Sequence, residues 1–394
     1  MDTTPGYSTF GGILVESKLA ETLHKSVFDE QKKEFDADMQ VGRAADEAYL
    51  DRCAKNARTT VAAALVGADI SAPWIDPLEH YRGPKHRLFY DSDLNDFTEA
   101  FETSCVDEQH RSRTMAMIKG LLKCGQYRKL AIIPTQYRRD IESLRDRYPN
   151  FGEVLDYIAS CCEIASRTGG VLRMTPILLT SAPGVGKTTF VASLGNWLQS
   201  GFHMFKFDCL QANGDLVGSS SFWANSQPGR VFEMLTQKQY ANPLFFLDEL
   251  DKSSTGPYDP LGPLHGLLDD SAQEFSDSCY KLPINASQIM WIGAVNDAEK
   301  IPAPLRSRFR EFSITITAEQ SATIARSIVH ETIDNLQLDI AFGRDAFEAL
   351  STMSPRRIKQ AVIEAIGKTL SRDEDVVTAQ DVGIEVVRRQ MGFL

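Results

Sequence analysis

Eight consecutive residues carry the means to hold a polyphosphate. Ser181-Ala182-Pro183-Gly184-Val185-Gly186-Lys187-Thr188 matches the pattern G-x-x-x-x-G-K-[ST], with Ser181 in place of the first glycine. Glycines at 184 and 186 let successive backbone N–H groups turn inward around phosphate oxygens. The N-terminus of a following helix adds partial positive charge. Lys187 is placed to reach the β- and γ-phosphates of a nucleotide, and the Thr188 hydroxyl to bind Mg²⁺. The expected nucleotide contacts therefore run through Pro183, Gly184, Val185, Gly186, Lys187, Thr188 and Thr189, with ATP and Mg²⁺ as the cofactors. A chance Gly/Lys turn is the alternative. The apolar VLRMTPILLT before the loop and the helix-forming TTFVASLGNWL after it stand against that alternative.

Sixty residues after Thr188, LFFLDE sets Asp248 and Glu249 at the C-terminal end of an apolar run, where ligands bind in an open α/β sheet. Asp248 is expected to hold Mg²⁺ through water, and Glu249 to orient or deprotonate an attacking water. Alone the pair is an ordinary strand end; behind a phosphate loop it reads as chemistry. Asn296 ends the next apolar run, WIGAVN, where its amide can help hold the lytic water or simply cap a turn. Arg308, in IPAPLRSRFREF, precedes the last strand, where a guanidinium can reach a neighbouring subunit's γ-phosphate. Arg306 can share that work, and a surface ion pair is the alternative for either. Arg356, in SPRRIKQAV, can fold back onto bound nucleotide, with Arg357 as the fallback.

These residues need a scaffold, and the chain's texture supplies one. From about Asn150, short apolar runs alternate with helical patterns: 171–180, 203–208, 242–249 and 288–296, then a last strand over 311–316. Such runs suit buried parallel strands in a βαβ succession. The fold class is therefore α/β, a doubly wound parallel sheet of the P-loop type, with a C-terminal helical lid and a mostly helical N-terminal domain. The expected domains are 1–147, 148–316 and 317–394. Residues 1–16 are rich in Gly, Thr and Ser and read as irregular; Ser17 to Leu65 reads as one amphipathic helix or helix pair. A second helix is expected from Asp93 to about Leu122. TAQD at 378–381 reads as a helix cap in the lid.

At 394 residues the chain has room for two or three domains of about 100–200 residues each. Hydrophobic residues make up 43% and charged residues 24%, which excludes a disordered chain and a small disulfide scaffold. With 42 basic and 53 acidic residues the net charge is −11, so bulk attraction to nucleic acid is not expected. One segment differs: between Arg111 and Pro149, ten basic residues face three acidic ones, with Tyr127, Tyr137 and Tyr148 interleaved. That segment is a solvated or intersubunit face, or a contact for nucleic acid or an acidic partner. The seven scattered cysteines show no metal spacing and read as reduced thiols, pointing to a cytoplasmic protein. No run of eighteen apolar residues implies a membrane span, and the N-terminus lacks the make-up of a secretion signal.

Taken in order, SAPGVGKT, FFLDELDK, GAVN, IPAPLRSRF and SPRRI resemble the motif set of AAA+ ATPases. From Pro243 to Phe309 the sequence is similar to the ATPase module of Lon proteases, and the likeness extends over roughly 148–390. The resemblance implies Lys187 and Thr188 on nucleotide and Mg²⁺, and Asp248 and Glu249 as the Walker B pair. It further implies Asn296 as first sensor, Arg308 as an arginine finger acting in trans and Arg356 as second sensor. Asn150 and Phe151, in YPNFGEVLDYI, occupy the family's adenine-contacting position. In SSSFWANSQPGR, Trp223 aligns with the family's pore tyrosine and Phe222 stands beside it. The pair either grips polypeptide in a ring's pore or tucks into the core. The implied assembly is a homo-oligomeric ring, a hexamer, that remodels a protein substrate. An ATP-switched factor acting on DNA is the alternative. Because the sequence stops at Leu394 after the lid, the resemblance implies no peptidase activity in this chain itself.

Overall fold

The computed structural model describes residues 77–78, 80–102, 108–208, 214–220, 226–253 and 259–383, together with two N-terminal strands. The chain divides into two compact units, Met1–Trp74 and Ile75–Leu394. In the first, Tyr7–Phe10 pairs antiparallel with Ile13–Glu16, so the stretch expected to be irregular contains a hairpin. The amphipathic pattern over 17–65 lies outside the described residues.

The second unit is built on five parallel strands: β1 (Ile177–Thr180), β2 (Phe202–Lys206), β3 (Leu244–Asp248), β4 (Met290–Val295) and β5 (Arg310–Ser313). Their order is β5-β1-β4-β3-β2, so the phosphate-loop strand and the acidic strand flank β4. Both sheet faces are covered, which is why the strands read as continuous apolar runs rather than alternating ones. Leu178, Phe245, Leu247 and Trp291 face one core; Ile177, Leu179, Phe246 and Ile292 face the other. Gly293 sits opposite Leu178 and Leu247. A Cβ there would come within 2.7 Å of the Leu250 side chain, so the centre of the sheet has no room for one.

Helices α1 (Asp91–Glu102) and α2 (Glu108–Cys124) occupy the region expected to hold a single helix. α3 (Tyr137–Arg147) and α4 (Gly152–Arg167) follow. Leu88, Leu94 and Leu121 pack into the same core as Leu178 and Phe245. The stretch 75–147 therefore packs with the sheet in the second unit. The charged residues of 111–149 are largely engaged. Arg128 is only 2% exposed and donates to the carbonyls of Leu235, Gly125, Tyr127 and Thr236 at 2.7–3.0 Å. Arg138, Arg145 and Arg147 pair with Glu163, Asp156 and Glu331, each at 2.7 Å.

After β1 comes α5 (Lys187–Leu198), and α6 (Arg230–Gln237) precedes β3. The lid contains α7 (Ala318–Leu336), α8 (Arg344–Leu350) and α9 (Pro355–Leu370), gathered on a core of their own around Val329, Ile358 and Val362. α7 opens with a capping box from Thr317 and Gln320, and Thr378 with Asp381 forms a second at the TAQD turn. Each satisfies helix-end N–H groups that would otherwise lack partners. Among the described residues no helix is long and apolar enough to cross a membrane.

Candidate functional site

The ends of β1, β3 and β4 open onto one cavity of about 550 Å³, roofed by lid residues of α7 and α9. The loop from Ser181 into α5 forms its floor. Gly184 and Gly186 have φ of +85° and +99°, a left-handed conformation that a side chain would strain. Gly186 caps α5 with no side-chain bond to the first-turn N–H groups, which leaves them to a ligand. Lys187 folds back across the loop. Its Nζ donates toward Ser181 Oγ (2.7 Å), Ser181 O (3.0 Å), Val295 O (3.1 Å) and Asn296 Oδ1 (3.2 Å). Burial lowers its pKa, against the nearby charges of Asp248, Asp251 and Glu249.

Thr188 Oγ1 donates to Asp248 Oδ2 at 3.0 Å. Burial raises the Asp248 pKa, with Glu249 adding like-charge repulsion and the Thr188 bond opposing both. A hydroxyl and a carboxylate in contact form a hard-oxygen pair suited to Mg²⁺, which keeps most of its ligands as water or phosphate oxygen. Among the described residues no cluster of three metal-binding side chains offers a rival centre. The first-turn N–H groups, Lys187 and this oxygen pair together fit a magnesium nucleotide.

Glu249 has φ +58°, a strained backbone for a non-glycine residue of the kind that gathers at functional sites. Its carboxylate accepts from Lys252 Nζ at 2.7 Å. Asn296 has its amide oxygen on Lys187, and its backbone N–H donates to Asp251 Oδ2 at 3.2 Å, as does that of Asp297. Asp251 was not among the expected residues. Its only signal is a third acid, after Asp248 and Glu249, in LDELDK.

The wall next to the floor departs from expectation. Asn150 lines the cavity and donates from Nδ2 to Val185 O at 3.3 Å. Phe151 does not reach the cavity: its side chain is fully buried and stacks on Phe190, ring centroids 4.1 Å apart. Tyr148 and Arg147 line the cavity instead. The chain turns through Pro149–Phe151 between α3 and α4, which carries Phe151 inward and leaves Tyr148 at the edge. Arg356 lines the cavity, and its backbone N–H approaches Gly184 O at 3.4 Å. Lys359, one helical turn on, also lines it, whereas Arg357 does not.

Arg308 lies away from this cavity. It donates to Asp269 Oδ2 at 2.9 Å and to Pro304 O, and its Nε is buried with no hydrogen-bond partner. Arg306 forms a two-pronged bond with Glu311, at 2.6 and 2.8 Å, the ion pair weighed as its alternative. Phe222 and Trp223 lie outside the described residues. The base of their loop is pinned where the backbone N–H of Ser219 donates to Gln227 O at 2.9 Å and that of Gly229 to Asp277 Oδ2 at 2.7 Å.

Residues 177–316 match the family model described as "ATPase family associated with various cellular activities (AAA)". Similar proteins include the Lon protease of Malacoplasma penetrans, 24% identical over 251 residues, covering 60% of this chain and 31% of that protein. The Lon protease of Mycoplasma genitalium is 24% identical over 308 residues, 74% of this chain and 38% of the other. The mitochondrial Lon protease homolog of Kluyveromyces lactis is 30% identical over 174 residues, 42% and 16%. The chain thus spans about a third of the length of the first of these relatives. Among solved structures, the Thermotoga maritima RuvB Holliday junction branch migration motor is 18% identical with a TM-score of 0.43, covering 59% of this chain and 66% of that one.

Proposed function

We propose that this chain, which carries an AAA+ module related to the ATPase modules of Lon proteases, hydrolyses ATP with Mg²⁺ in a ring of its own copies and uses the energy to remodel a protein substrate. One observation carries the reading: Lys187, Thr188, Asp248, Glu249 and Asn296, spread over 110 residues of sequence, line one cavity that Arg356 and α7 close from above. ATP supplies the phosphoanhydride bond whose hydrolysis drives the work. Lys187 and the N–H groups of the loop hold its β- and γ-phosphates, and Thr188 and Asp248 hold Mg²⁺. Glu249 orients the attacking water and accepts its proton at the carboxylate, with the Asn296 amide beside it. Asn150 and Tyr148 border the adenine end.

Arg308 supports the ring. It is about one-quarter exposed and does not line its own cavity, so we assign it to a neighbour's phosphate, a head-to-tail contact of the kind that forms a ring when its rotation closes. The count of six copies, and the placing of Phe222 and Trp223 at a central pore, rest on the likeness to the Lon ATPase module alone. The DNA reading is the weaker one, because Arg128, 2% exposed and donating to four carbonyls, is out of a ligand's reach. A cytoplasmic setting fits the free thiols of Cys124, Cys161, Cys162 and Cys279.

Steady-state ATP turnover tests the assignment. Glu249→Gln is expected to slow kcat by about 10²–10⁴-fold while nucleotide still binds. Arg308→Ala is expected to cost about 10³-fold or more, the scale of an arginine finger. Unchanged turnover in both variants would remove the mechanism.

A further inference from the structure

Ser181 stands where the phosphate-loop pattern has glycine, and its backbone gives no reason for either residue. Its φ is not in the left-handed region, so glycine's freedom is not needed. What serine adds is a hydroxyl, and that hydroxyl is engaged. Ser181 is 7% exposed. Its Oγ donates to Ala182 O at 3.0 Å and turns its lone pairs to Lys187 Nζ at 2.7 Å, the shortest of the four contacts that Nζ makes.

An ammonium has three protons, and four protein oxygens already contend for them. Three belong to Ser181 O, Val295 O and Asn296 Oδ1, which a glycine at 181 would leave in place. The fourth, Ser181 Oγ, exists only because the residue is serine. A β- or γ-phosphate oxygen reaching Lys187 is therefore a fifth contender, and the closest bond it must displace is the one to Oγ.

We propose that the Ser181 hydroxyl competes with nucleotide phosphate for Lys187, loosening the grip on ADP and ATP and speeding product release. The inference rests on the site's being a nucleotide site, as proposed above. Because three other oxygens share the ammonium's protons, losing the hydroxyl removes only part of a charge-assisted bond, about a three- to tenfold change in affinity. Adenosine monophosphate lacks the phosphates that Lys187 reaches, so its binding is outside the competition.

The test is binding of fluorescently labelled ADP, with AMP as competitor, to the full chain in Mg²⁺ buffer. Ser181→Ala and Ser181→Gly both remove the hydroxyl. Both are expected to tighten ADP about three- to tenfold, chiefly through slower dissociation, and to leave AMP unchanged. ADP binding that is unchanged or weaker overturns the proposal, as does equal tightening of AMP. A gain confined to Ser181→Gly overturns it too, since backbone freedom rather than the hydroxyl would then be responsible. Trace acylation of Lys187 in protein stripped of nucleotide reads the contact directly. Labelling is expected to quicken in Ser181→Ala, and an unchanged rate overturns the proposal even if one variant folds poorly. Wild-type protein that takes up no nucleotide would instead defeat the functional reading itself. The two failures are told apart because the labelling of Lys187 needs no nucleotide.

Discussion

Asp251 supports the site without facing the reaction, and its removal has a calculable cost. Its Oδ2 accepts the backbone N–H groups of Asn296 and Asp297, both at 3.2 Å, while its Oδ1 is buried without a hydrogen-bond partner. Those N–H groups belong to the turn that points the Asn296 amide at Lys187. Asp251→Ala strands both donors. Partly buried and at long distance, each falls near the lower end of the unsatisfied-donor range, so the loss is about 2 kcal/mol in total. Asp251→Asn keeps one oxygen for the two donors and puts an amide nitrogen in the partnerless position, which costs about 1 kcal/mol. Urea unfolding should therefore rank wild type above Asn above Ala. Because the Asn296 amide loses its support, kcat in the Ala variant is expected to fall by at least about tenfold, equivalent to some 1.4 kcal/mol of barrier, with KM little changed. An Ala variant as stable as wild type, or one equal to Asn in both stability and kcat, would refute the assignment of Asp251 as a positioning residue.

Two further outcomes follow from buried groups. Phe151→Ala empties a fully buried site stacked on Phe190 and is expected to cost about 3–5 kcal/mol in urea unfolding, with ADP affinity nearly unchanged in the folded protein; affinity lost at intact stability would put the ring on the base after all. Asp277 is fully buried, and burial pushes its carboxyl up to about 6 although the N–H groups of Gly229, Cys279 and Tyr280 oppose the shift. A raised carboxyl favours the neutral folded form, so its stabilisation is complete below about pH 4 and lost as pH rises through 6, about 3 kcal/mol at most. Unfolding free energies of wild type and Asp277→Asn at pH 4.5 and 7.5 check this: wild type should lose ground to the variant as pH rises, and a pH-independent gap would refute it.

How much of this was legible in the sequence depended on the range of the interactions involved. The sheet and the phosphate loop were local: an apolar run, glycines at 184 and 186 and a helix former after Lys187 determine one another within about twenty residues of sequence. The acidic pair was legible because a strand end is a fixed place in an α/β sheet. Phe151 was misplaced because resemblance transfers a segment and not the rotation of a turn; one residue along Pro149–Phe151 separates the cavity from the core. Asp251 was missed because its use lies in bonds to residues 45 and 46 positions away, and nothing near it in sequence reports them. The same holds for 75–147. Its helical pattern reports local periodicity alone, whereas Leu88 and Leu121 share a core with Leu178 of β1 and Phe245 of β3.

The lid shows why the polar ties at the cavity's edge matter more than their strength. Its apolar core around Val329, Ile358 and Val362 is separate from both cores of the sheet. Where α7 meets the segment before α4, two of the ties are polar. Gln320 Nε2 donates to Pro149 O at 3.1 Å, and Glu331 pairs with Arg147 at 2.7 Å. The two lie three turns apart on α7, about 16 Å along its axis, and they bracket the border of the cavity. With both charged side chains nearly half exposed, the ion pair is worth about 0–1 kcal/mol. An apolar seam of the same length would bury several side chains at about 1.5–3 kcal/mol each and lock the lid to the sheet. Two weak, directional ties of this kind hold α7 to the segment before α4 at the cavity's border. Arg356 then matters through its placement: it enters the cavity from α9, so any motion of the lid moves its guanidinium relative to the loop at Gly184.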